Sequence, residues 1–135
     1  MRAQRERRPT NIVVGEEDYH RLSSLALAVQ ERMPDVAEAL LAEMDRADVV
    51  PDRKVADSVV RMGSSLEYRN SAGVTRSVTL VYPGDADLAA GRISVLSALG
   101  VAVIGLKVGQ VAHWTSHDGR PMEITLVSVH QPVAA

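Results

Sequence analysis

The chain has 135 residues, a formal net charge of −2, 46% hydrophobic residues and 24% charged residues, as in a soluble globular domain with a short extension. The absence of cysteine excludes disulfides, thiolate metal sites and a thiol nucleophile. No apolar run reaches the roughly 18 residues of a membrane span and no signal sequence is present, so we expect a cytoplasmic protein without membrane contact.

The first segment, residues 1–11, is basic, since four Arg and one Glu give it a charge of +3. It contains no aromatic residue, and we predict a flexible, solvated tail. Any weak contact with nucleic acid is expected through this tail. Residues 12–48 carry nine acidic residues and three Arg, for a charge of −6. This charge disfavours binding to the anionic backbone of nucleic acid and suits a basic surface on a protein partner.

A short strand and two helices are predicted next. Ile12–Val14 is a short β-like run. Behind it an acidic first turn favours a helix N-terminus, and apolar residues from Tyr19 to Val29 recur at the spacing of one helical face. We expect this helix to run from about Glu17 to Arg32. Pro34 interrupts the pattern and suits the first turn of a second helix, which is predicted to end near Asp48.

The two predicted helices must fold back on each other because the break between them is short. Residues 12–50 are therefore predicted to form a short antiparallel helical hairpin of coiled-coil type. Its tip carries charged side chains from Glu31, Arg32 and Asp35. Such a tip is usually only solvated, but projecting carboxylates are also suited to hold a metal ion that a partner supplies.

A sheet unit is predicted for residues 51–135. Residues 49–57 are interpreted as a linker because Pro51 interrupts them, and beyond them the apolar period changes to two. One short buried helix is expected at Ser97–Ile104, ended by Gly105. Strands are predicted at Ser58–Met62, Ser65–Asn70, Thr75–Tyr82, Ile93–Val95, Val111–Ser116 and Met122–His130. The predicted fold class is α+β, with the helical hairpin followed by an antiparallel sheet that carries a single short helix.

Three glycines between residues 100 and 109 raise the question of a phosphate-binding loop. Gly100 and Gly105 have the separation found in a Walker motif, but Leu106 stands where that motif has Lys. The residues between the two glycines are all apolar and better suited to burial than to wrapping an anion. We therefore predict that Gly100 permits close packing of the short helix and that Gly109 turns the chain.

Metal and hydrolase sites are not indicated either. His113 and His117 are four positions apart, which is a helical spacing, but they fall in a predicted strand and turn and lack a third ligand. The chain contains no G-x-S-x-G nucleophile elbow. We expect no catalytic residue, no metal site and no cofactor.

A set of short motifs in register resembles the C-terminal domain of Gre-type transcript cleavage factors, and their order and spacing resemble the regulator of nucleoside diphosphate kinase (Rnk) family. The motifs are Leu80–Pro83, Ile93–Gly100, Gly105–Gly109 and Val111–Trp114. The similarity covers most of residues 12–132. It implies an FKBP-like fold for residues 51–135, like that of FK506-binding proteins. It also implies docking on bacterial RNA polymerase near the rim of the secondary channel.

The resemblance also implies a docking segment. In Gre-type factors an Ile-Ser-x-x-Ser-Pro segment lies in the region that docks on the polymerase, and here it corresponds to Ile93, Ser94, Ser97 and Ala98, with Leu99 beside them. Ala98 departs from the proline that is usual in the family. The function implied is that of a non-catalytic, polymerase-binding transcription regulator that competes with Gre-type factors.

Two alternative activities follow from the same resemblance. Gre-type factors stimulate transcript cleavage by bringing acidic tip residues to the polymerase's catalytic magnesium. The helices predicted here are only about 23 Å long, too short for Glu31 and Asp35 to reach that metal. An FKBP-like fold also suggests a peptidyl-prolyl isomerase, but such sites are lined with aromatics, and this chain has no Phe and one Trp. The sequence therefore favours a protein that is not an enzyme.

Overall fold

The structure, a computed structural model, describes residues 11–116 and 118–132, so the predicted tail lies outside it except for Asn11, as does His117. Its class is α+β, as predicted. In chain order the elements are β1 (Val13–Gly15), α1 (Glu16–Val29), α2 (Pro34–Arg46), β2 (Asp48–Val50), β3 (Ser65–Asn70), β4 (Thr75–Val81), β5 (Arg92–Ser94), α3 (Ala98–Val103), β6 (Val111–Thr115) and β7 (Pro121–His130).

The helix pair, α1 and α2, is joined by residues 30–33 and packs through apolar side chains. Helix α1 ends at Val29 rather than at Arg32, because residues 30–32 form the turn. Pro34 is the first residue of α2, where a missing N–H removes no helical hydrogen bond. The buried side chains follow the predicted helical period and are Leu22, Ala26, Val29, Ala37, Leu40 and Met44.

The predicted linker contains a strand. Strand β2 runs parallel to β1, with Val13 opposite Asp48 and Gly15 opposite Val50. The interpretation of residues 49–57 as a linker is therefore wrong in its first part. Because β1 leads directly into α1 and β2 follows α2, this pairing ties the two open ends of the helix pair together.

The remaining strands form one five-stranded sheet in the order β5-β4-β3-β7-β6. Its neighbours are antiparallel except at one edge, where β4 and β5 are parallel. The prediction of a purely antiparallel sheet is wrong at this edge. The connection between the two strands contains 3-10 turns at Pro83–Asp85 and Leu88–Ala90, and its length lets the chain return and enter β5 in the direction of β4.

The strand predicted at Ser58–Met62 is not formed. Val59 makes one isolated bridge to Lys107, and the Val60 N–H donates to the Leu106 carbonyl at 2.9 Å. Both valines are buried. The segment has the apolar pattern of a strand because it is extended and buried, but its hydrogen bonds go to loops rather than to a ladder.

A single hydrophobic cluster joins the helix pair to the sheet. Helix α3 contacts both α2 and β6 and so lies between them. The helix pair is thus packed on the sheet and shares its core. The largest fully buried hydrophobic side chains of this cluster are Ile12, Leu22, Leu40, Leu66, Leu80, Ile104, Leu106 and Leu126. Within residues 11–116 and 118–132, no helix is long and apolar enough to cross a membrane.

Candidate functional site

The predicted docking segment runs from β5 into α3. Ile93 is only 7% exposed and belongs to the core, so its side chain is withdrawn from any partner. The Ser97 hydroxyl donates to the Ser94 carbonyl oxygen at 2.7 Å and accepts the Gly100 N–H at 3.0 Å. Ser97 is therefore the N-cap of α3, and its hydroxyl is used within the segment.

The close packing predicted for Gly100 is confirmed. A side chain at this position would collide with the Ser94 carbonyl oxygen and lie 2.8 Å from the Val95 Cα. Helix α3 is thereby held against the chain that leaves β5. Of the predicted docking residues, Ala98 is exposed, whereas Ser94, Ser97 and Leu99 are half-buried, so Ala98 is the most accessible residue of the segment.

The predicted tip residues occupy two different places. Glu31 and Arg32 lie in the turn between α1 and α2, whereas Asp35 lies in the first turn of α2, and all three are exposed. The helices have 14 and 13 residues, so each is about 20 Å long. In the part of the chain that the structure describes, no group of three or more His, Asp or Glu side chains is placed to hold a metal ion.

Asp35 and Ala98 line one groove, which we call the α2–α3–β6 groove. The structure therefore brings one predicted tip residue and one predicted docking residue to a common surface. Its volume is about 550 Å³. It is lined by Asp35, Val36, Ala39 and Glu43 of α2, by Ala98, Val101 and Ala102 of α3, and by His113, Trp114, Thr115 and Ser116 of β6 and its end.

The groove combines an apolar floor with an acidic rim. Small side chains and the half-buried Trp114 form the floor, and no Lys or Arg is among the described residues that line the groove. On the rim, Asp35 is exposed, while the Glu43 carboxylate binds Arg46 at 2.8 Å. The His113 Nδ1 lies 3.7 Å from the Glu123 carboxylate. The lining thus combines apolar side chains with carboxylates, hydroxyls and the His113 imidazole.

A second polar cluster lies where α1 meets the sheet. The Asp18 carboxylate accepts the Met62 N–H at 3.2 Å, and burial raises the pKa of Asp18 against the opposing effects of this hydrogen bond and of Arg61. The Arg21 guanidinium lies 4.5 Å from the ring centroid of Tyr82, whose buried hydroxyl has no hydrogen-bond partner among the described residues. Burial likewise raises the pKa of Tyr82. These contacts orient the helix pair on the sheet.

Sequence reasoning missed most of the groove. In the sequence, nothing distinguishes Val36, Ala39 and Ala102 from other residues on helical faces. Only folding brings them together. Trp114 carried the one usable signal, because it is the only Trp of the chain and lies in a predicted strand instead of a helix. A large aromatic that the fold leaves half-buried is a common anchor of a binding surface.

Comparisons with known proteins divide the chain between the helix pair and the five-stranded sheet. Residues 10–50 match the family described as "Rnk N-terminus", and residues 55–131 match "Transcription elongation factor, GreA/GreB, C-term". The "Regulator of nucleoside diphosphate kinase" of Escherichia coli (strain K12) is 34% identical over 130 residues, which is 95% of each chain. "Transcription elongation factor GreA" of Rhodospirillum rubrum is 29% identical over 112 residues, covering 82% of this chain and 69% of that protein.

A solved structure shows the same fold. The "Prokaryotic transcription elongation factor GreA/GreB from Nitrosomonas europaea" superposes with a TM-score of 0.72 at 30% identity, covering 89% of this chain and 99% of that one. The relatives are named as a regulator and as elongation factors. The chain therefore belongs to the regulator of nucleoside diphosphate kinase family and carries a GreA/GreB-type C-terminal domain after its two helices.

Proposed function

We propose that this protein is a non-catalytic regulator of transcription elongation that binds bacterial RNA polymerase. The observation that carries the proposal is its 34% identity with the Escherichia coli regulator over 95% of both chains. The match of residues 55–131 to the GreA/GreB C-terminal domain supports it further, because an elongation factor acts on the transcribing polymerase. Since its partner is cytoplasmic, the protein acts in the cytoplasm.

The proposed docking position is the rim of the secondary channel. Residues 51–135, as an FKBP-like domain, make the main contact around Ala98 and Leu99, and the antiparallel helical hairpin of residues 12–50 lies at the channel mouth. Both surfaces are accessible, since Ala98 and the tip residues are exposed. Because two proteins cannot occupy one rim together, this regulator excludes Gre-type factors from the polymerase it occupies.

The proposed absence of cleavage activity rests on the length and placement of the helix pair. Each helix is about 20 Å long, and Asp35, although exposed, lines the groove together with Ala98 of α3. The alternative, stimulation of transcript cleavage, would require Glu31 and Asp35 to reach the polymerase's catalytic metal together. The isomerase alternative would need an aromatic pocket, and the chain has three Tyr, one Trp and no Phe.

Equilibrium binding to core RNA polymerase tests this proposal. The chain has no Cys, so an Ala72→Cys variant, altered in the exposed turn between β3 and β4, accepts a single fluorophore. We expect saturable binding, measured by anisotropy, and displacement of the labelled protein by unlabelled GreA. Absence of binding would contradict the proposed function, and binding that GreA does not displace would contradict the shared rim.

A further inference from the structure

We propose that the basic tail of this chain, residues 1–10, folds back and lies in a second groove, which runs between α1 and α2 on the helix pair. We call it the α1–α2 groove. The inference goes beyond the proposed function and does not depend on it, because it concerns two parts of one chain. The sequence alone predicts a solvated tail, whereas the fold places a surface of opposite charge within the reach of that tail.

The α1–α2 groove has an apolar floor and an acidic rim, and its volume is about 490 Å³. The half-buried Tyr19 and Leu41 and the buried Met44 form the floor. On the rim, Glu38 and Asp45 are exposed and supply the only formal charges among the described residues that line the groove. A cationic occupant with an apolar stem, such as an Arg side chain, matches both parts. None of these residues lines the α2–α3–β6 groove.

The two rim carboxylates lack a balancing cation. Within residues 11–116 and 118–132, neither Glu38 nor Asp45 takes part in an ion pair, whereas Glu43 of the same helix is paired with Arg46. Glu38 and Asp45 are seven residues apart, so they lie on one face of α2 and are separated by about 10 Å along its axis. An occupant with two cations at this separation neutralises both.

The chain enters the fold beside one end of this groove. The Asp48 N–H donates to the Ile12 carbonyl oxygen at 2.9 Å, so the exposed Asn11 lies next to the C-terminal end of α2. Asp45 belongs to the same end of α2. Ten residues span at most about 33 Å when extended, which exceeds the length of the groove. The tail therefore reaches all of the groove without any change in β1.

The tail carries its cations at a spacing that matches the rim. Arg5 and Arg8 are three residues apart, which is about 10 Å in an extended chain. A tail that runs from Asn11 back along α2 brings Arg8 to Asp45 first and then Arg5 to Glu38. This register pairs the two exposed carboxylates with two arginines of the tail.

Tethering favours this occupant over any separate basic molecule. Residues 1–11 carry +3 and residues 12–48 carry −6. Exposed ion pairs are individually weak and are screened by salt. A short tether raises the effective concentration of the tail at the groove to the order of millimolar, and the tail of a second copy lacks this advantage in dilute solution. A tail held in the groove is withheld from nucleic acid.

Carbodiimide coupling tests the contact and its register. Arg5→Lys and Arg8→Lys each keep the positive charge and supply an amine, which carbodiimide joins to a neighbouring carboxylate with loss of water. We expect mass spectrometry to find Arg5→Lys joined to Glu38 and Arg8→Lys joined to Asp45 within one chain. The yield should fall at least about threefold when the salt concentration is raised to about 0.5 M.

Two results of the coupling experiment would overturn the inference. One is coupling that is as frequent at Asp57 and Asp85, which are exposed carboxylates outside the groove, as at the two rim carboxylates. The other is coupling that joins two chains instead of closing one, which would identify a second copy as the owner of the bound tail.

Binding of a fluorescent single-stranded oligonucleotide tests whether the groove withholds the tail. The Glu38→Gln/Asp45→Asn variant should bind it at least about threefold more tightly than the parent, because the released arginines can contact phosphates. Asp57→Asn/Asp85→Asn removes the same charge elsewhere and serves as the matched control. Circular dichroism shows that both variants are folded. An equal gain in the two variants would reflect net charge alone and would contradict the inference.

These experiments use the protein alone, so their outcome is separate from that of polymerase binding. If the parent binds polymerase while the tail amines do not couple to the rim carboxylates, this inference alone is wrong. Coupling at Glu38 and Asp45 in a protein that does not bind polymerase would support this inference and contradict only the proposed function.

Discussion

The carboxylate of Asp52 caps the helix that begins after Gly15. Its Oδ1 accepts the N–H of Glu17 at 3.1 Å, and a Cβ at position 15 would lie 2.5 Å from that same oxygen. Gly15 supplies no side-chain cap of its own. The start of α1 is thus capped by a residue that follows β2, so the placement of the helix pair depends on a residue outside it.

The first prediction concerns this cap. Asp52→Ala should lower the free energy of unfolding by about 0.5–2 kcal/mol, and Asp52→Asn should lose less because an amide oxygen also accepts the Glu17 N–H. Gly15→Ala should cost a similar amount by displacing the carboxylate. Urea unfolding of Asp52→Ala, of Gly15→Ala and of the double variant measures the energetic coupling between the two positions. We expect the double variant to lose clearly less than the two single losses combined, and strict additivity would show that the contact is not shared.

The second prediction concerns the packing of α3 against the chain at Gly100. Gly100→Ala should reduce stability by about 1–3 kcal/mol, because its methyl group would collide with the backbone at Ser94 and Val95. Gly84→Ala is the matched control, since no described residue lies within 4 Å of the added methyl group there. Thermal unfolding followed by circular dichroism gives both values. Equal melting temperatures for the two variants would mean that α3 is not packed in this way.

The third prediction separates capping from docking at Ser97. Ser97→Ala removes the hydrogen bonds to Gly100 and Ser94 and should cost about 0.5–2 kcal/mol of stability, whereas Ser97→Thr keeps the hydroxyl and should cost less. Polymerase affinity of the folded Ala variant should stay close to that of the parent. A clear loss of polymerase affinity in the folded Ala variant would show that the hydroxyl contacts the partner directly.

The fourth prediction concerns pH. Burial raises the pKa of Asp18 above its ordinary value of 3.8. At a pH between 3.8 and the raised pKa, the folded state therefore holds a proton that the unfolded state has released. The contribution of Asp18 is therefore most favourable below pH 3.8 and declines as the pH rises through the folded pKa. Asp18→Asn keeps an acceptor for the Met62 N–H without the charge, and Asp18→Ala removes the acceptor.

We therefore expect the stability of the Asn variant, relative to the parent, to rise from pH 3.8 upward and then level off. The Ala variant should lose about 1–3 kcal/mol at neutral pH because the Met62 N–H loses its partner. Denaturant unfolding at a series of pH values measures both differences. A relative stability of the Asn variant that falls with pH would mean that the charged form is favoured by the fold.

The sequence was sufficient for elements whose signal is local. The helix pair follows from apolar spacing and from Pro34, and β3, β4, β6 and β7 follow from alternation between turn residues. Strand β2 could not be predicted from the sequence, because three residues carry little periodicity and its partner β1 is distant along the chain. Residues 58–62 were mistaken for a strand because a buried extended segment has the same apolar pattern whether or not it joins a ladder.

In the candidate site, too, features formed by neighbouring residues could be predicted, and features formed by tertiary packing could not. The close packing at Gly100 was predicted from contiguous residues, whereas the docking segment, which resembles a family motif, stays a prediction. The groove could not be predicted, since α2, α3 and β6 meet only through tertiary packing. Burial of Ile93 and the internal hydrogen bonds of Ser97 are also consequences of the fold. Within the motif they leave Ala98 as the exposed residue, next to the other residues that line the groove.

Cleavage of backtracked transcripts by core polymerase tests the central claim most directly. Added alone, the protein is predicted to bind the complex and leave the transcript uncut. Added to a reaction that contains GreA, it should slow GreA-stimulated cleavage in proportion to its occupancy of the polymerase. Rapid cleavage by the protein alone, abolished in a Glu31→Ala/Asp35→Ala double variant, would contradict the account, as would a GreA reaction that saturating protein leaves unchanged.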